Sequence, residues 1–107
     1  MQFEDLKAFI KKEDGRLREQ YGPTLDQEKR ALARTVKLVE EVGELCSEVL
    51  ARQTLQRQEK LERSAGSNIA NEFADVIITV LLLAETMGVN IEEALARKIE
   101  TINRRYV

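Results

Sequence analysis

Apolar residues recur along this chain at intervals of three and four, the spacing of one face of an α-helix, and nowhere alternate as in a strand. Phe3, Leu6, Phe9, Ile10 and Leu17 mark a short first helix, weakened at its end by Gly15 and broken by Tyr21-Gly22-Pro23. Asp26 is then placed to cap a second helix, in which Leu32, Val36, Val39, Val42, Cys46, Val49 and Leu50 keep the helical period past Arg57. Ser64-Ala65-Gly66-Ser67-Asn68 reads as a loop. A third helix runs from about Ile69 to Met87 and stops at Gly88, where a left-handed residue is favoured. Asn90 with Glu93 three residues on resembles a capping box, opening a fourth helix through Leu95, Ile99 and Ile102. The pattern predicts an all-α, four-helix unit, with all 107 residues in one domain.

Two lengths make that unit incomplete as a single chain. A second helix of about 35 residues spans ~50 Å, whereas a compact globule of this size has a radius of gyration near ~13 Å. The third helix is apolar almost all round between residues 76 and 84, and a four-helix monomer this small covers only about one face of it. A homodimer or homotetramer answers both, with residues 76–84 partly in the subunit interface.

Composition narrows the chemistry. With no His and one Cys, the chain supplies no Ser-His-Asp triad, no Cys-His pair and no imidazole or thiolate zinc site, so any metal meets oxygen ligands. A net charge of −2 gives no electrostatic reason to expect nucleic acid or an anionic membrane as partner. The lone Cys46, the acidic start of residues 1–10 and the lack of an apolar stretch near ~20 residues favour the cytoplasm.

What remains is carboxylate. On the second helix, Leu38, Val39, Val42, Leu45, Cys46 and Val49 fill one arc, and Glu41, Glu44 and Glu48 line its border with Lys37 among them. Like charges at these spacings each cost a helix about 0.2–0.5 kcal/mol, which local stability does not explain and a bound cation does. On the third helix, Asn68, Glu72, Asp75 and Thr79 form a polar stripe in an otherwise apolar segment, facing inward or toward a partner. Glu41, Glu44, Glu72 and Asp75 together offer the oxygen-rich shell that suits Mg²⁺ or Mn²⁺. The competing explanations are simple exposure for Glu40, Glu41 and Glu48, and a buried salt bridge from Glu72 and Asp75 to Lys37, Lys98 or Arg105.

Glu40-Glu41-Val42-Gly43-Glu44, followed by Glu72-Phe73-Ala74-Asp75, resembles the paired Glu-Glu-x-x-Glu and Glu-x-x-Asp motifs of the MazG-like all-α nucleoside triphosphate pyrophosphohydrolases. The resemblance runs from about Ala33 to the C-terminus. It implies a MazG-like helical bundle completed by homo-oligomerisation and Mg²⁺-dependent hydrolysis of a (deoxy)nucleoside triphosphate to the monophosphate and pyrophosphate, a house-cleaning of nucleotide pools. Glu41, Glu44, Glu72 and Asp75 are then the metal ligands and Glu40 the general base. Lys37, Lys98, Asn103 and Arg105 are the phosphate-binding candidates, although the family carries an Asn one turn after Lys98, where this chain has Ile102 and then Asn103. Phe3 and Phe9, assigned to the inner face of the first helix, are core residues or a wall of the nucleotide pocket, and Phe9 is the substrate-binding candidate.

Two other classes compete. A helical scaffold or antitoxin-like partner protein needs the oligomer but no inward carboxylates. A metal-buffering or di-iron bundle reuses carboxylates but adds His in Glu-x-x-His pairs, which this chain lacks.

Overall fold

The computed structural model describes residues 1–21, 25–53 and 67–106, and among these there are helices and no strand. They are α1 (Phe3–Tyr21), α2 (Gln27–Gln53), α3 (Ser67–Thr86) and α4 (Ile91–Asn103), with a closing 3₁₀ turn over Arg104–Tyr106. The Gly22-Pro23 part of the first turn, any continuation of the second helix past Gln53, and loop residues 64–66 lie outside the described residues. So do the side chains of Tyr21, Ser67 and Asn68.

Local chemistry sets the helix ends. The Lys29 backbone N–H donates to Asp26 Oδ1 at 2.9 Å, which makes Asp26 the N-cap that the sequence predicts. At the far end of α3, the Val89 N–H donates to the Ala84 carbonyl and the Gly88 N–H to the Glu85 carbonyl. This bond pair needs a left-handed residue at position 88, supplied by Gly88 at φ 69°. The Glu93 N–H then donates to the Asn90 side chain, which starts α4. Gly15 does not end α1, which runs unbroken to Tyr21. Its position is exposed, so a mid-helix glycine costs about 1 kcal/mol of propensity and no packing.

α2 and α3 pack as an antiparallel pair, the start of one against the end of the other. Gln27 Nε2 donates to the Thr86 carbonyl at 2.8 Å, and Arg34 Nη1 to the Leu82 carbonyl at 3.2 Å. α1 lies across α3, burying Ile10 with Leu81 and Leu82, and Leu6, Leu17, Ile78 and Ile91 close around them. Asp14 sits on the same inner face of α1, 4% exposed, within 3.0 Å of Arg34 and 2.8 Å of Arg18. One buried carboxylate thus ties α1 to α2, while Arg34 carries the tie on to α3.

α4 stands apart. The chain bends by 113° after α3, and α4 touches the core through its first turn, where Ile91 meets the buried cluster and Glu92 bonds Lys7 at 3.3 Å. From Leu95 onward every described residue is exposed. The radius of gyration is accordingly 17.0 Å, well above the ~13 Å of a compact chain this long. No single described helix is long and apolar enough to cross a membrane.

Residues 76–84 of α3 are covered on one face only, as the sequence leads one to expect: Thr79, Leu81 and Leu82 are buried, whereas Ile77 and Val80 are exposed. The inner face of α1 is narrower than predicted. Phe3 lines a cavity of about 350 Å³ with Ile10 and Leu81, but Phe9 is exposed. Six residues on a helix amount to roughly 240°, so the two rings cannot share a face.

Candidate metal centre

The helical spacing that stacks Glu41, Glu44 and Glu48 also decides which of them meets α3. Glu41 is 8% exposed and lies in the α2–α3 seam, opposite Glu72 and Asp75. One carboxylate oxygen from each of Glu41, Glu72 and Asp75 lies within 4.8 Å of the other two. These three residues form the candidate centre. Glu44 lies beside it on the exposed side, its carboxyl pushed above the usual range first by the charge of Glu41, then by lost hydration and by Glu72 and Glu40.

The hydrogen-bond inventory at this seam is short of donors. Glu41 Oε2, Glu72 Oε2 and Glu48 Oε1 are buried without a hydrogen-bond partner. Buried carboxylate oxygens are costly unless something neutralises them, and three acids converging from two helices repel one another as well. A hard divalent cation, coordinated by carboxylate oxygen, fits this donor set. The chain's own cation supplies only part of the compensation: Lys37 Nζ lies 3.2 Å from Glu41 Oε1 and 3.5 Å from Glu40 Oε1, and both contacts hold its proton more tightly than usual.

Among the described residues, neither Glu72 nor Asp75 has an ion-pair partner, which removes the buried salt bridge offered as the competing explanation. Exposure alone fails for Glu41, which is buried, and for Glu48, which is half-buried. Glu40 is exposed and paired with Lys37. Thr79 is buried one turn past Asp75, with its hydroxyl donating to the Asp75 carbonyl at 2.6 Å. It closes the dry end of the polar stripe against its own helix.

The remaining predicted site residues are not gathered here. Lys98, Asn103 and Arg105 are exposed on α4 and its closing turn, beyond the single turn that joins α4 to the core. Phe9 lies outside both the acidic trio and the α1–α3 cavity. Asp14 and Arg34 form the polar contact that sequence reasoning missed. Its signal was present, because Asp14 falls four residues after Ile10 and three before Leu17, inside the apolar period of α1.

Comparison with known proteins agrees with this geometry at the level of the family. A family model described as MazG-like matches residues 32–107, a span that takes in both acidic motifs, most of α2 and all of α3. No curated protein and no solved structure matches the chain. With most of its length matched and the two motifs meeting across one helix seam, the chain belongs to the MazG-like family.

Proposed function

We propose that this protein is a Mg²⁺-dependent nucleoside triphosphate pyrophosphohydrolase, which cleaves a (deoxy)nucleoside triphosphate to the monophosphate and pyrophosphate. The observation that carries the reading is the convergence of Glu41, Glu72 and Asp75, with buried unpartnered oxygens on two of them, in a chain of the MazG-like family.

Glu41, Glu72 and Asp75 are the residues that would hold the cation, with Glu44 at the exposed edge as a fourth oxygen donor. A divalent ion there supplies charge neutralisation for phosphate oxygens and lowers the pKa of a bound water. Lys37, at the rim and restrained by Glu40 and Glu41, binds phosphate charge from the solvent side. Glu40 is exposed next to the same lysine, where it takes the proton of the attacking water. Lys98, Asn103 and Arg105 remain phosphate-binding candidates on α4, and base selection falls to residues beyond the acidic trio.

The test is to incubate the purified protein with each common nucleoside triphosphate and measure pyrophosphate. Release from at least one of them with Mg²⁺ or Mn²⁺, abolished by EDTA, is expected. Release indifferent to EDTA, or orthophosphate as the sole primary product, overturns the reading.

A further inference from the structure

The cavity that Phe3, Ile10 and Leu81 line is balanced in charge, with Lys7 and Lys11 on its wall against Glu85 and Glu92. A smaller one, of about 200 Å³, lies where the end of α1 meets the start of α2, and its charge is all of one sign. Arg18, Arg30, Arg34 and Lys37 line it together with Leu17 and Leu25, and no acid is among the described residues on its wall. Pockets that take a whole drug-sized molecule run from ~300 Å³ upward, so this one suits a small anion and excludes an entire nucleotide.

Most of these cations already have a carboxylate. Arg18 and Arg34 lie 2.8 and 3.0 Å from Asp14, and Lys37 lies 3.5 Å from Glu40 and 3.2 Å from Glu41. Arg30 has none among the described residues. Its Nη1 donates to the Leu25 carbonyl at 2.8 Å, which fixes the guanidinium in place, while its Nε is buried without a hydrogen-bond partner. A buried donor left unpaired costs free energy, and a guanidinium held beside further cations lacks an anion. Arg30, Arg34, Lys37 and Glu41 follow one another at intervals of four, three and four, so a single line on α2 runs from this pocket to the candidate metal centre. Lys37 belongs to both.

We propose that this pocket is an anion subsite that takes a phosphate or pyrophosphate group, with Arg30 as its principal donor and Arg18 and Lys37 beside it. The planar fork of a guanidinium matches phosphate oxygens, and charge-assisted bonds of this kind are the stronger ones. The subsite rests on the catalytic reading only for the source of its anion, because the terminal phosphates of a bound triphosphate and free pyrophosphate present the same oxygens. The acids of the metal centre attract an anion only through a cation, whereas the pocket needs none. That difference separates the two sites in solution.

The experiment is a calorimetric titration of the full chain with inorganic pyrophosphate in EDTA, where the metal-free acids repel the anion and the pocket alone attracts it. The wild type is expected to bind, and Arg30→Gln to weaken binding at least about tenfold. Arg18→Gln, at a side chain half exposed, is expected to weaken it less and carries the test should Arg30→Gln not fold. Glu72→Gln in the metal centre, and Lys29→Gln at an exposed cation of α2 outside the pocket, are expected to keep wild-type affinity. No binding by the wild type overturns the proposal. So does equal weakening by Lys29→Gln and Arg30→Gln, which marks diffuse charge, or loss of binding in Glu72→Gln, which puts the anion at the acids. Inhibition of turnover by pyrophosphate identifies the source: competition with the nucleotide assigns the pocket to the substrate's terminal phosphates, and non-competitive inhibition assigns it to the free anion. A protein without pyrophosphohydrolase activity that still binds through Arg30 keeps the subsite and loses only the catalytic reading.

Discussion

Glu41 carries two opposite demands, since one oxygen is held by Lys37 at 3.2 Å while the other is buried with no donor. Removing its charge at nearly constant volume should therefore separate function from folding. Glu41→Gln, Glu72→Gln and Asp75→Asn are each expected to abolish pyrophosphate release and to erase the rise in Tm that Mg²⁺ or Mn²⁺ gives the wild type. Without metal, each should melt about 2–4 °C higher than wild type, the size expected from relieving roughly 0.5 kcal/mol of repulsion. Thermal scans with and without Mn²⁺ check both parts, and a large metal-free fall in all three variants would return these acids to a structural role. The two motifs were legible because an acid repeated at helical spacing inside an apolar segment has few reasons to be there. That Glu44 sits at the rim was not, since Glu41 and Glu44 differ by only about 60° around the helix and the tilt of α3 decides between them.

At the scale of the elements, the helices and their ends were readable from period and caps, as Asp26, Gly88 and Asn90 show. Which side of α2 faces inward was not. Its sequence offers a mixed line through Arg34, Leu38, Glu41 and Leu45 and a purely apolar one through Val36 and Val39, and the hydrophobic pattern alone chooses the second. The buried ion pair between Asp14 and Arg34 helps explain why α2 presents the first. Their side chains approach to 3.0 Å, although Asp14 Oδ1 receives no well-directed hydrogen bond, and Arg34 also bonds the Leu82 carbonyl. Breaking the pair by Asp14→Ala leaves the half-buried Arg34 without its carboxylate, at an expected loss of about 1–3 kcal/mol in urea unfolding. Replacing both, as Asp14→Leu with Arg34→Met, should recover most of that loss, and a double variant as unstable as Asp14→Ala would show that Arg34 is needed for its bond to α3. The reach of α4 was illegible for a different reason. A bend of 113° follows from one left-handed glycine and one cap, which show that the chain turns but not where the next helix points.

For the whole molecule, the homo-oligomer that the sequence leads one to expect would be stabilised by mass action, so its melting temperature would depend on how much protein is present. Over a hundredfold dilution in differential scanning fluorimetry the Tm is expected to fall by several degrees, whereas a self-sufficient chain shows no change. Gly43 sharpens the same point into a question of sign. It is exposed on α2, where an added methyl group would meet nothing within 4 Å in the isolated chain. On the scale of helix propensity, Gly43→Ala is then a gain of about 1 kcal/mol. Against a helix of a second copy packed close at the missing side chain, the same methyl group would be an obstruction. The expected result is a lower Tm and weaker assembly, so a substitution that every local rule favours would measure how near the second copy comes.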